Sequence, residues 1–145
     1  MKISTKGRYA LRMMLDLAMN QGEDFVSLKD IAERQNVSKK YLEQIVPLMN
    51  KSGMLKTNRG NHGGYRLIKT PDKYTVGEIL RVTEGSLAPV ACLEYEPVDC
   101  ERAGECMTLP VWRGLYKAVT DYLDGITLQD IIDKSAQSYG NDYCI

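Results

Sequence analysis

The chain has 145 residues and 16.4 kDa, with 43% hydrophobic and 26% charged residues, which suits one domain with a real core or one domain plus an appended element. That balance argues against a largely disordered chain, and no apolar run approaches the roughly 18 to 20 residues that cross a bilayer. Met1-Lys2-Ile3-Ser4-Thr5-Lys6-Gly7-Arg8 has no apolar stretch behind it, so neither a secretory leader nor a membrane span is expected, and the expected setting is cytoplasmic.

The formal net charge of zero hides a polarity. Residues 1–70 carry 13 Lys and Arg against 6 Asp and Glu, and residues 71–145 carry the reverse, 6 against 13. Either the first half faces a polyanion, or two solvated faces differ by chance.

From Gly7 to Asn20 the residues Ala10, Met13, Met14, Leu17 and Ala18 recur at helical spacing and predict an amphipathic helix. Gly22 with Glu23-Asp24 ends it. Ser27 with Asp30 predicts the start of a second helix that buries Leu28, Ile31 and Ala32 and ends near Gln35-Asn36. Ser38 caps a third, with Leu42, Ile45, Val46 and Met49 inward and Gly53 at the C-terminal left-handed position. Two short helices joined by such a turn read as a helix-turn-helix. Pro47 predicts a kink or an early break in the third helix, because proline removes a helical hydrogen bond.

Met54–Thr57 and Tyr65–Ile68 flank Asn58-Arg59-Gly60-Asn61-His62-Gly63-Gly64, a turn-rich linker that predicts a β-hairpin, or wing, closed by Pro71-Asp72. Thr75 and Glu78 form a capping box for a helix through Val82, with Val76, Ile79, Leu80 and Val82 or Thr83 inward. Residues 84–107 lack periodicity and read as a loop, long enough to be either functional or disordered. Thr108 and Pro110 open a helix to Asp124, striped by Trp112, Leu115, Tyr116, Val119, Tyr122 and Leu123. Thr127 and Asp130 cap a last helix with Leu128, Ile131 and Ile132 inward, followed by a loose tail. The expected fold is mainly α with one small hairpin, a winged helix-turn-helix plus a long helix carrying an apolar stripe. The expected divisions are 1–83 for DNA binding, 84–107 for the cysteine loop, 108–136 for the last two helices and 137–145 for a flexible tail.

Between Ser38 and Arg66 lie Lys39, Lys40, Lys51, Lys56, Arg59 and Arg66 against one acid, Glu43. Neutralising phosphates supplies most sequence-independent affinity for DNA, so this is where a reading head carries charge. Ser38, Lys39, Lys40 and Tyr41, with Glu43 and Gln44, would enter the major groove, where Glu accepts from cytosine and Gln pairs with adenine. Arg59 and Gly60 at the hairpin tip would reach a narrow minor groove. The plain alternatives are a solvated helix face for the lysines and packing for Tyr41. His62, the one histidine, reads as a surface residue rather than a metal ligand.

Cys92, Cys100 and Cys106 fall within one turn-rich loop, and Cys144 stands near the end. Thiolates on a loop can converge on iron–sulfur, zinc or copper(I), although this spacing is not that of a zinc ribbon. Three thiols are one ligand short of four. A fourth would come from Glu94, Glu96, Asp99, Glu105, Cys144, another subunit or an exogenous group. The plain alternative is three incidental thiols.

The opening Lys2-Ile3-Ser4-Thr5-Lys6-Gly7-Arg8-Tyr9-Ala10 resembles the Rrf-type transcription regulators, the family of IscR, NsrR and CymR. So do Ser38 with Tyr41-Leu42-Glu43-Gln44, Arg59-Gly60 with Gly63-Gly64-Tyr65, and Cys106 followed by Trp112-Arg113 and Ile126-Thr127-Leu128. The resemblance spans nearly the whole chain. It implies a homodimeric winged helix-turn-helix repressor of a pseudo-palindromic double-stranded operator, paired through the helix 108–124. It further implies that Cys92, Cys100 and Cys106 hold an iron–sulfur cluster, 2Fe-2S favoured over 4Fe-4S, that senses iron–sulfur or redox status. IscR-like members carry a ligand histidine where this chain has Leu109, and NsrR-like members an acid where it has Arg8. CymR-like members lack the cysteines, yet Glu84–Val90 resembles theirs. Among the subgroups the chain is nearest an IscR-like regulator with CymR-like features.

Two rival expectations remain. One is a cluster-free regulator of sulfur metabolism governed by a partner protein or a sulfur metabolite. The other is a zinc-binding interaction protein that uses its basic face on RNA. An enzyme has the least support, because no acid–base pair or nucleophile motif is present.

Overall fold

The protein is described here from a computed structural model, in which residues 1–141 are described, with side-chain burial through Tyr139. Helix α1 (Thr5–Asn20) starts two residues before the predicted Gly7, capped by Ser4, whose Oγ accepts from the Gly7 N–H. Helices α2 (Leu28–Gln35) and α3 (Lys39–Lys51) are capped by Ser27 and Ser38 as their sequences predict, each side chain accepting from the third helical N–H. Asn36 between them takes the left-handed conformation (φ 52°), which turns the chain sharply enough to set α3 across α2.

The predicted break at Pro47 does not occur: α3 runs unbroken to Lys51. Pro47 lies on the solvent face one turn beyond Glu43, so the carbonyl it leaves unpaired is on the exposed side. Ile45, Val46 and Met49 are buried on either side of it and hold the helix in place. Gly53 (φ 75°) ends the element in the left-handed region, as predicted.

Strands β1 (Leu55–Asn58) and β2 (Gly64–Leu67) pair antiparallel, with Leu55 opposite Leu67 on the buried face and Asn58 opposite Gly64 at the tip. A contact the sequence reading lacked runs along the other side of β2. Val26 pairs with Tyr65 through two backbone bonds of 2.9 and 2.8 Å, and the Gln21 side chain accepts from Leu67 N–H at 2.8 Å. Gly64 permits this approach, because any Cβ there would collide with the Val26 carbonyl.

Helix α4 (Val76–Glu84) carries the predicted capping box, with both Thr75–Glu78 bonds at 3.1 Å. Helix α5 (Leu109–Asp124) follows the loop, and α6 (Leu128–Asn141) ends the described chain. Helix α6 continues five residues into the segment expected to be a loose tail; the rest of that segment, including Cys144, lies outside the described residues.

One core gathers Ala10, Met13, Met14 and Leu17 of α1, Ile31 of α2, Leu42, Ile45 and Met49 of α3, and Ile79 of α4. Leu128 of α6 is fully buried in the same core, and its N–H donates to the Tyr74 carbonyl at 3.0 Å. Thus the last helix folds back on the first unit rather than standing apart with α5. Tyr74, which periodicity did not single out, is 2% exposed, and its hydroxyl is fully used. It donates to the Met54 carbonyl at 2.8 Å and accepts from the Ile68 and Lys69 N–H groups, each at 3.0 Å. Among the described residues no helix is long and apolar enough to cross a membrane.

Candidate nucleic-acid interface and cysteine loop

The orientation of α3 follows from its apolar spacing. Leu42, Ile45, Val46 and Met49 face the core, which turns Lys39, Lys40, Glu43 and Gln44 to solvent together with the cap Ser38. Tyr41 is half-buried, its ring edge-on to Tyr9 of α1 with centroids 5.2 Å apart, so packing orients this side chain. The Arg12 guanidinium lies over the same Tyr9 ring at 5.3 Å. Arg12 also donates to the Gln35 carbonyl and, at 3.2 Å, to Gln35 Oε1, tying α1 to the end of α2.

Beneath this contact sits Asp16, 2% exposed, a buried charge the sequence reading missed. Its carboxylate accepts from Arg34 Nη2 at 2.7 Å, from Arg34 Nε at 3.0 Å, and from Gln35 Nε2 at 2.9 Å. That hydrogen bond raises the Arg34 pKa, against the burial that lowers it. Position 16 falls three residues after Met13, beside the apolar stripe, and a lone acid there is the only signal that pointed to it.

The wing closes one side of a cleft of about 810 Å³, whose other walls are α3 and the start of α2. Lys29, Lys39, Glu43, Asn50, Thr57 and Arg59 line it. Thr57 Oγ1 donates to Asn50 Oδ1 at 3.0 Å, so the wing is tied to α3 across the cleft. Arg59 and Gly60 are exposed at the tip beside His62, also exposed. Lys29 lies on α2, outside the basic stretch from Ser38 to Arg66, and joins it only through the fold. Conversely, Arg66 is turned away from the cleft, donating to the Glu23 carbonyl at 3.1 Å with its guanidinium 5.8 Å from the Phe25 ring centre. Three cations facing a single acid make this the surface best suited to a phosphate backbone.

The cysteine loop is not featureless. Leu87 is buried against Val76 and Leu80, and Ala91–Leu93 forms a single 3₁₀ turn with Leu93 buried. Cys92 sits in that turn, half-buried; Cys100 is exposed; Cys106 is half-buried just before α5. The Cys106 thiol lies 3.4 Å from Thr108 Oγ1. This bond, with the N–H groups at the start of α5 and the Arg102 charge, lowers the Cys106 pKa. All three thiols are free, which suits thiolate ligation of iron. They are not gathered: among the described residues no three His, Cys, Asp or Glu side chains form a group able to hold a metal ion.

Helix α5 leaves its apolar stripe largely bare. Only Leu109 is buried, while Trp112 is 36%, Leu115 41% and Tyr122 69% exposed. The helix is fastened to α4 by Arg81 and Asp124, whose two parallel bonds are each 2.8 Å.

Compared with known proteins, residues 3–134 match the family model described as Rrf2, iron-dependent transcriptional regulator. The chain is 45% identical to the HTH-type transcriptional regulator CymR of Bacillus subtilis over 132 residues, covering 90% of this chain and 89% of that one. It is 38% identical to the HTH-type transcriptional regulator IscR of Aliivibrio salmonicida, covering 94% of this chain and 81% of that one. Among solved structures, CymR of B. subtilis, described as the global cysteine regulator, superposes with a TM-score of 0.75 at 43% identity, covering 92% and 98%. IscR of T. potens also superposes with a TM-score of 0.75, at 40% identity, covering 95% and 90%.

Proposed function

Because the chain belongs to the Rrf2 family of transcriptional regulators, we propose that it is a homodimeric repressor whose grip on an operator is set by an iron–sulfur cluster on Cys92, Cys100 and Cys106. The observation that carries the DNA-binding part is the outward row Lys39, Lys40, Glu43 and Gln44, of which Lys39 and Glu43 line one cleft with Arg59. Helix α3 enters the major groove, Glu43 and Gln44 read base edges, and Arg59 follows the minor groove. Ser38, already bonded to the Tyr41 N–H, sets the angle at which the helix enters, while Gly60 brings the backbone close to the duplex. Lys29, Lys39 and Lys40 neutralise phosphates.

The uncovered stripe of α5 supports pairing with a second copy, since Trp112, Leu115 and Tyr122 expose large apolar side chains on one side of the helix. Two reading heads related by a twofold axis call for a pseudo-palindromic operator. The donor chemistry of the loop suits the cluster, and its turns leave the three thiols free to converge. When bound, such a cluster supplies iron–thiolate bonds that come and go with iron supply and redox state. Leu87 and Leu93 anchor the loop, so any rearrangement of the thiols is felt by α4 and α5, which flank it.

A second reading is favoured by the ungathered thiols: a cluster-free regulator of sulfur metabolism, governed by a partner protein or a sulfur metabolite. Anaerobic treatment with ferrous iron and sulfide separates the two. The first reading predicts visible charge-transfer absorbance in the wild type, lost in Cys92→Ala. It also predicts that affinity for duplexes selected from a random pool changes about fivefold or more on loading. Colourless protein favours the second reading; equal affinity with and without absorbance removes the switch.

A further inference from the structure

The last residue of α4 and the N-cap of α1 lie 80 positions apart in sequence and share two hydrogen bonds. Ser4 N–H donates to Glu84 Oε1 at 3.0 Å, and Ser4 Oγ donates to the same oxygen at 2.5 Å. Ser4 Oγ meanwhile accepts from Gly7 N–H at 3.1 Å, so the carboxylate supports the cap that starts α1. The fit is close, because any Cβ at Gly7 would run into the Glu84 carboxylate.

Glu84 is also where the cysteine loop begins. Gly85 follows it with φ +79°, a backbone state that side chains rarely adopt, and Leu87 then buries itself against Val76 and Leu80 with Ile3 packed on the same cluster. The first residues of the loop therefore clamp the chain entering α1. At its far side α1 bears on the reading head, through Tyr9 on Tyr41, through Arg12 on Gln35, and through Asp16 on Arg34.

We propose that the Glu84–Ser4 contact is the latch by which the state of the cysteine loop is communicated to α3. It rests on the reading of α3 as the DNA-binding element and of the loop as regulatory, but not on which group the loop binds. With the latch closed, α1 is capped and Tyr41 is held against Tyr9. A loop rearrangement that turns the last turn of α4 withdraws the carboxylate, uncaps α1 and loosens the support beneath α3. Glu84 is thus a positioning residue, acting on DNA only through Ser4 and α1.

Linkage makes this testable without iron, because a conformational equilibrium that couples the loop to DNA is shifted by bound DNA as well as by the loop. The full chain, metal-free and reduced, is alkylated with N-ethylmaleimide with and without a saturating duplex selected from a random pool. Mass spectrometry follows Cys92, Cys100 and Cys106 separately. In the wild type, bound duplex changes the alkylation rate of at least one of these thiols by about fivefold or more. In Glu84→Ala and in Ser4→Ala that factor falls to near one, and the double variant goes no further. Loss of stability alone would lower the melting temperature and leave the factor in place. Ser4→Ala keeps the test alive should Glu84→Ala fail to fold. A factor that persists in both variants, or is missing from the wild type, overturns the latch and leaves the DNA-binding reading standing. A protein that selects no duplex overturns that reading, and the latch with it.

Discussion

Arg34 of α2 meets Asp16 of α1 with two nitrogens, Nε at 3.0 Å and Nη2 at 2.7 Å, and the two partners are unequally buried. The Asp16 side chain is 1% exposed and that of Arg34 is 38% exposed. Removing the cation strands a carboxylate in the interior with Gln35 as its remaining side-chain donor, whereas removing the anion leaves a guanidinium that can turn to water. Arg34→Met is therefore expected to cost about 3 kcal/mol and Asp16→Asn distinctly less. Urea unfolding of the two variants checks the order.

The Arg81–Asp124 pair fastens α5 to α4 and gives a pH dependence of known sign. Arg81 holds the Asp124 carboxyl below its ordinary value. Its contribution is complete above the usual carboxylate pKa of about 4 and is lost as pH falls through the lowered value. Both groups are partly exposed, so the effect is modest. Asp124→Asn should melt below the wild type at pH 7, and the gap should close as the pH drops below about 4.

Gly64 is where the wing is joined to the segment before α2. In Gly64→Ala the new methyl group meets the Val26 carbonyl, and the Val26–Tyr65 pairing must open. The expected cost is about 1–3 kcal/mol. Hydrogen exchange at the Tyr65 amide should speed up while that at Ile45, deep in the core, changes little.

Arg59 and Arg66 carry the same charge seven residues apart, yet only Arg59 lines the cleft. Arg59→Ala should lower the slope of log affinity against log salt by about 1. Lys29→Ala should do the same. Arg66→Ala should leave the slope unchanged, because its guanidinium is already engaged by the Glu23 carbonyl and the Phe25 ring.

Leu115 stands mid-way along the bare stripe of α5. A glutamate there places a charge in the centre of the proposed interface, where burial without a partner is costly. Sedimentation of Leu115→Glu should give the 16.4 kDa chain mass, and the wild type twice that. A wild-type protein that sediments as a monomer would defeat the dimer.

Local signals in the chain determined the helices, their caps and the hairpin. Ser27, Ser38 and Thr75 each bond the N–H group that their position predicts, because capping is settled within four residues. The same locality made the exposed row from Lys39 to Gln44 legible: once Leu42, Ile45 and Met49 are buried, helical geometry leaves these residues no other side. Pro47 does not break the helix, because its penalty is local while the packing that overrides it is not. Asp16 with Arg34, Val26 with Tyr65, Leu128 with Tyr74 and Glu84 with Ser4 join residues from 18 to 80 positions apart, and no periodicity encodes such pairings. The three cysteines show the same division. Their presence in one loop is written in the chain, whereas whether they meet depends on how that loop folds between α4 and α5.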